Sequence, residues 1–150
     1  MTEAEITQYI CSSFSDIQIA TANGNSFYYH GPEGTIPERT FPFATLVGSD
    51  EYDKTSNLDR EGVFRLNIGV SKATYNSLLG TIPPAPGDSG IVETGHDFTV
   101  LDEIMPHPIY GHMAWICVLN PGKATIETVK SLLKEAYETA VKKSKSTKKN

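Results

Sequence analysis

Cysteine is scarce in this chain. Its 150 residues hold two, Cys11 and Cys117, too few and too far apart for a disulfide scaffold or a CxxC metal site. No apolar run approaches the roughly 18 residues that a membrane span needs. The acidic start, Met1-Thr-Glu-Ala-Glu5, lacks the basic-then-apolar order of a secretory leader, so a cytoplasmic setting is expected. The signatures GxGxxG, Walker A, HExxH and GxSxG are all missing, which removes the commonest nucleotide-binding, zinc-hydrolase and esterase readings. Cations are sparse as well. Five of the thirteen basic residues fall in the last nine positions, leaving eight against eighteen acidic side chains in residues 1–141. That body repels polyphosphate, so nucleic acid is a disfavoured partner.

The hydrophobic share of 39% and aromatic share of 9% suffice for one core and exclude wholesale disorder. The expected organisation is one α+β domain over residues 1–141, followed by a basic disordered tail at 142–150. Thr2 and Glu5 have capping-box spacing ahead of Ile6, Tyr9, Ile10 and Phe14, predicting a helix over 3–13. Alternation from Ile17, an Asn23-Gly24 turn and the run Ser26–His30 predict a hairpin. Gly31–Arg39 reads as a loop, Phe41–Val47 as a third strand and 50–62 as a polar loop. Val63–Val70 is a fourth strand. Ser71 caps a short helix over Lys72–Leu79, which Gly80 ends. Residues 80–95, with three prolines and four glycines, form a long internal loop. Met113–Leu119 is a fifth strand. Ile126, Val129, Leu132, Leu133, Ala136, Tyr137, Ala140 and Val141 make one apolar stripe of a helix over 125–143. The order α-β-β-β-β-α-β-α implies a single antiparallel sheet of about five strands with helices on one face.

Three segments, Phe64–Val70, Leu101–Gly111 and Trp115–Pro121, resemble a bacterial family of unknown function, a DUF-type domain, over about residues 41–141. The closing half is also similar to the MmcQ/YjbR proteins. There a Tyr-Gly-His-Met-like turn, here Tyr110–Met113, leads into a strand containing tryptophan, here Trp115. A helix with a Ser-Tyr-Glu-like end follows, and Glu135-Ala-Tyr-Glu138 stands in its place, with Ala136 where that pattern favours serine. The resemblance implies a CyaY-like α+β fold, related in shape to double-wing DNA-binding domains, and brings no activity with it.

The densest functional-looking stretch is Pro106-His107-Pro108-Ile109-Tyr110-Gly111-His112. Two prolines stiffen the backbone around His107, which could then act as an acid/base with Tyr110 or Asp102 assisting. The alternative is that His107 hydrogen-bonds the backbone and locks the approach to the fifth strand. His107 and His112 are five apart in a turn, which is no metal signature, and neither a metal nor a cofactor is expected. On the fourth strand, period two puts Phe64, Leu66, Ile68 and Val70 on the core face and Arg65 and Asn67 on the open one. With Trp115 on that open face, Arg65 and Asn67 could hold an anionic or planar ligand. Otherwise Arg65 pairs with Asp59 or Glu61 and Trp115 is core. Asp50, Glu51, Asp53 and Asp59 lack EF-hand spacing. Gly87-Asp88-Ser89-Gly90 resembles a serine-protease run in a chain with too few strands for that fold.

These features suggest a non-enzymatic ligand-binding or interaction module using Arg65, Asn67, Trp115, His107, Tyr110 and His112. A small molecule, another protein or a second copy of the chain would be its partner. The competing readings are an enzyme with His107 as acid/base, its substrate covered by the 80–95 loop, and a double-wing-like DNA binder using the lysine tail.

Overall fold

A computed structural model describes residues 1–32 and 41–148, with side chains through Lys143. Most of the loop expected at 31–39, and the far end of the basic tail, lie outside the described residues.

Helix α1 (Glu3–Ser13) begins with the expected reciprocal cap: Thr2 Oγ1 accepts from the Glu5 amide, and Glu5 Oε1 accepts from the Thr2 amide. These two bonds satisfy donors that the first helical turn leaves unpaired. Strands β1 (Ile17–Ala22) and β2 (Asn25–His30) follow as a hairpin. Asn23 and Gly24 both have positive φ (55° and 79°), as the tight two-residue turn between twisted strands requires. Next come β3 (Ala44–Val47), β4 (Arg65–Gly69) and α2 (Lys72–Leu79), the last capped by Ser71 as anticipated. The chain closes with β5 (Met105–Pro106), a 3-10 turn (Gly111–Met113), β6 (Trp115–Leu119) and α3 (Ile126–Lys148). All strand pairs are antiparallel, in the order β1-β2-β3-β4-β6-β5.

The fold is thus α+β with one antiparallel sheet, of six strands among the described residues rather than about five. The extra strand, β5, is two residues long, too short to show an alternating pattern, and Pro106 suits its place at the sheet edge. The third strand begins at Ala44 rather than Phe41. The last begins at Trp115, because Gly111–Met113 coil into the 3-10 turn. Helix α3 continues five residues past the predicted end at Lys143, into the stretch expected to fray.

One face of the sheet carries the main core. Tyr28, Ala44, Leu46, Leu66, Ile68, Ile116 and Val118 meet Ile6 and Ile10 of α1 and Val129, Leu132, Leu133 and Ala136 of α3. Each fully buried aliphatic side chain there contributes roughly 1.5–3 kcal/mol through loss of contact with water. The opposite face was expected to be open and is not. Loops 50–62 and 80–101 fold over it, and Val47, Leu58, Val92, Phe98, Met105, Cys117 and Leu119 form a second core beneath them.

Candidate functional site

Period two on β4 does place Leu66 and Ile68 toward the helices and Arg65 and Asn67 on the other face. Because the loops cover that face, Arg65 and Asn67 are each only 1% exposed. The Arg65 guanidinium donates to both carboxylate oxygens of Asp53, Nη1 to Oδ1 at 3.0 Å and Nη2 to Oδ2 at 2.7 Å. Nη1 also donates to Ser56 Oγ (3.0 Å), and Nε to Asn67 Oδ1 (3.1 Å). Asn67 Nδ2 in turn donates to Thr45 Oγ1 at 2.9 Å. Arg65 therefore pairs with neither Asp59 nor Glu61 but with Asp53. Burial alone would raise the Asp53 carboxyl. The hydrogen bonds and charge of Arg65, with the Thr55 hydroxyl and amide, outweigh it and hold Asp53 at about 2. A two-pronged charge-assisted pair of this kind leaves Arg65 little capacity for an outside anion.

Two further carboxylates of the acidic loop around this pair bind its own backbone. Asp50 Oδ1 accepts from the Leu58 amide (2.7 Å), and Asp59 Oδ1 from the Asp50 amide (3.1 Å). Arg60 Nη2 donates to Ser56 O and to Thr99 O, tying loop 50–62 to loop 80–101. Among the described residues no group of three or more histidine, cysteine or acidic side chains is arranged to hold a metal ion. Among the same residues no helix is long and apolar enough to cross a membrane.

His107 is 5% exposed. Its Nδ1 accepts from the amides of Ile109 (3.0 Å) and Tyr110 (3.1 Å), which puts the proton of the neutral ring on Nε2. Its own amide donates to Trp115 O, and its carbonyl accepts from the Gly111 amide. Burial, reinforced by the Arg65 charge and only partly opposed by Asp53, lowers His107 to about 3. A general base works best near the operating pH with a lone pair free for the substrate proton; here the accessible lone pair is spent on two amides. The backbone-locking role is the geometry observed. His112 Nδ1 lies 3.1 Å from Ile109 O, so the second histidine braces the same turn.

Asp102 does not assist His107. The Asp102 amide donates to Leu119 O and the His107 amide to Trp115 O, opposite ends of β6 and roughly 13 Å apart along an extended strand. The Asp102 carboxylate accepts from the amides of Gly122, Ala124 and Thr125 and from the Thr125 hydroxyl, holding the start of α3. Against the opposing effect of burial, these bonds lower its pKa. Cys117 is fully buried, donates to Pro106 O, and is pushed up to about 12 by that burial, far from the thiolate a nucleophile needs.

The structure does gather three predicted rings at one place. His107 and Tyr110 have centroids 5.0 Å apart, and His107 and Trp115 stand edge to face at 6.3 Å. The Trp115 ring lies on Gly69, its directly paired residue across β4; a Cβ there would stand 3.0 Å from the indole. Ala114, at φ 64°, makes the left-handed step that turns the chain from the 3-10 turn into Trp115. Tyr110 and Met113 are about half exposed beside the half-buried Trp115. A surface cleft of about 290 Å³ is lined by Tyr75, Ile82, Pro84, Glu93, His96 and Pro106. Another lies along α1 at Thr7 and Cys11. His107 lines neither. The 80–95 loop is pinned rather than poised over a substrate: Val92 is in the second core and its amide donates to Pro108 O.

Sequence reasoning missed Asp53 as the partner of Arg65, and Ser56, Thr45 and Asn120 altogether. Asn120 accepts from the Phe64 amide and donates to Gly62 O, clasping the start of β4. Only the acidity of loop 50–62 hinted at a partner for Arg65, and five carboxylates fitted that hint equally.

The molecule is therefore an α+β single-sheet domain with an aromatic turn backed by a buried ion pair. The chain belongs to the family of unknown function DUF6194, whose model matches residues 1–149. No curated protein and no solved structure matches it.

Proposed function

We propose that the chain is a non-catalytic binding module that docks a basic segment of another protein on the turn formed by Tyr110, Met113 and Trp115. One observation carries this reading: the groups with catalytic chemistry are consumed by the scaffold, while aromatic and thioether surface on this turn remains exposed. Arg65 is engaged by Asp53, His107 by two amides and Asp102 by the start of α3. Tyr110 and Met113 are 48% and 53% exposed. Aromatic faces attract cations, and the acidic excess of residues 1–141 adds long-range attraction for a basic partner. Met113 supplies an adaptable apolar contact for the stems of lysine and arginine side chains. A proposed kinship with the MmcQ/YjbR proteins, and with it a bacterial cytoplasmic setting, rests on the Tyr110–Met113 turn feeding the Trp115 strand.

Trp115 is the chain's single tryptophan, so its emission reports on this turn directly. Titration with a lysine- and arginine-rich peptide is expected to change that emission saturably, with the response lost in Tyr110→Ala and weakened by salt. An acidic peptide of equal length should leave it unchanged. A Tyr110→Ala response equal to wild type, or saturable binding of duplex DNA instead of the peptide, would overturn the proposal.

A further inference from the structure

The two edges of the sheet are built very differently. At one end, β5 is two residues long and contains Pro106, devices that keep an edge from recruiting another strand. At the other end lies β1, six residues long, Ile17-Gln-Ile-Ala-Thr-Ala22, with no charge and no proline. Among the described residues no strand lies outside it. The hairpin determines which of its groups are unpaired. The Ala22–Asn25 pair closes a two-residue turn, and Gly31 N donates to Asp16 O at 2.9 Å. In the antiparallel alternation, residues 16, 18, 20 and 22 thus bond inward to β2. Ile17, Ile19 and Thr21 turn their amides and carbonyls outward, and all three are β-branched, the side chains that best fit an extended strand.

We propose that this edge pairs antiparallel with β1 of a second copy of the chain, joining two sheets into one. The strand alternates evenly about Ile19. A two-fold axis there sets Ile19 against its symmetry mate and Ile17 against Thr21, so the same groups serve both copies, as an isologous contact requires. The net charge of -5 opposes close approach of two copies, and an uncharged strand is where that opposition is weakest. An uncharged edge equally offers no charged handle by which a different partner would be selected. Behind the edge, Phe27 and Tyr29 of β2 stand half-buried opposite Ala20 and Gln18.

Sedimentation equilibrium of the full chain in the micromolar range should give twice the 16.4 kDa chain mass. Amide exchange at Ile17, Ile19 and Thr21 should slow as concentration rises. Thr21→Pro removes one outward N–H at an exposed position without touching a bond to β2; it should give a folded monomer whose melting temperature no longer depends on concentration, while Thr21→Val stays dimeric. Should Thr21→Pro fail to fold, Thr21→Lys applies the same test by bringing charge to the pairing. A monomer at every concentration, or a dimer that survives either Thr21 variant, would overturn the proposal.

Discussion

Two faces of one sheet are held down by opposite physics. On the helix face, alternate residues of β4 and β6 meet apolar stripes of α1 and α3, and the contact is non-directional. On the loop face, the intervening residues meet long irregular segments, and what pins those segments is directional: the Asp53–Arg65 pair, its Asn67 and Thr45 extension, and Arg60 spanning two loops. A helix satisfies its own backbone and brings only an apolar face to the core. A covering loop has backbone groups to satisfy, and side-chain acceptors such as Asp50 and Asp59 do so here. The polar residues on the loop face are thus the means by which loops are made to pack like helices.

The sharpest way to break the comparison is at neighbouring positions on β4. Leu66→Ala, on the helix face, should cost about 2–5 kcal/mol through a cavity. Arg65→Ala should cost about 3–5 kcal/mol, because Asp53 is left buried without its partner. Urea denaturation measures both. Replacing the pair together, Arg65→Met with Asp53→Leu, should recover most of the Arg65→Ala loss, whereas no second substitution rescues Leu66→Ala so simply. An Arg65→Ala protein of wild-type stability would show that the loop is not held by the ion pair.

Acid separates the two faces next. His107 titrates near 6.5 when unfolded and at about 3 when folded, so the native state resists a proton that the unfolded chain accepts. Stability is full above pH 6.5 and falls progressively toward pH 3, by about 3 kcal/mol at pH 4.5 if the full shift is expressed. Asp53, at 3.8 unfolded and about 2 folded, contributes stability above pH 4 that is lost as pH falls from about 4 to 2. His107→Asn keeps an acceptor for the Ile109 and Tyr110 amides but does not titrate. Its urea midpoint should stay nearly level between pH 6.5 and 4.5 where wild type declines; an equal decline would assign the acid sensitivity elsewhere.

Smaller effects are expected where the loop face meets solvent. Asp102→Ala should cost about 1–2 kcal/mol, the scale of a lost helix-start cap, with exchange of the Gly122, Ala124 and Thr125 amides accelerating selectively. Tyr110→Ala should fall within about 0.5 kcal/mol of wild type by thermal melting, as an exposed side chain does. A large loss would make that ring structural.

Much of the fold was legible in the sequence because its signals are local. The reciprocal cap of Thr2 and Glu5, the Asn23-Gly24 turn, the Ser71 and Gly80 boundaries of α2 and the long apolar stripe of α3 each act within a few residues. The alternation on β4 likewise assigned Arg65 and Asn67 to the right face. It could not say that loops would cover that face, and so exposure was expected where there is burial. Asp50, Glu51, Asp53, Asp59 and Glu61 are chemically alike along the chain. Only the path of loop 50–62, bent by Asp50 and Asp59 onto its own backbone, brings Asp53 rather than another to the guanidinium.

The sequence by itself determined the elements, their order, and which residues of each strand share a face, since caps, turns and periodicity depend on neighbours in the chain. Tertiary structure decided which polar groups meet, which histidine lone pair is used, and that a two-residue β5 exists at all. Those outcomes rest on contacts between residues far apart in sequence, such as Arg60 with Thr99 and Asp102 with Thr125. Such contacts form only when the whole sheet and both loops have closed around them.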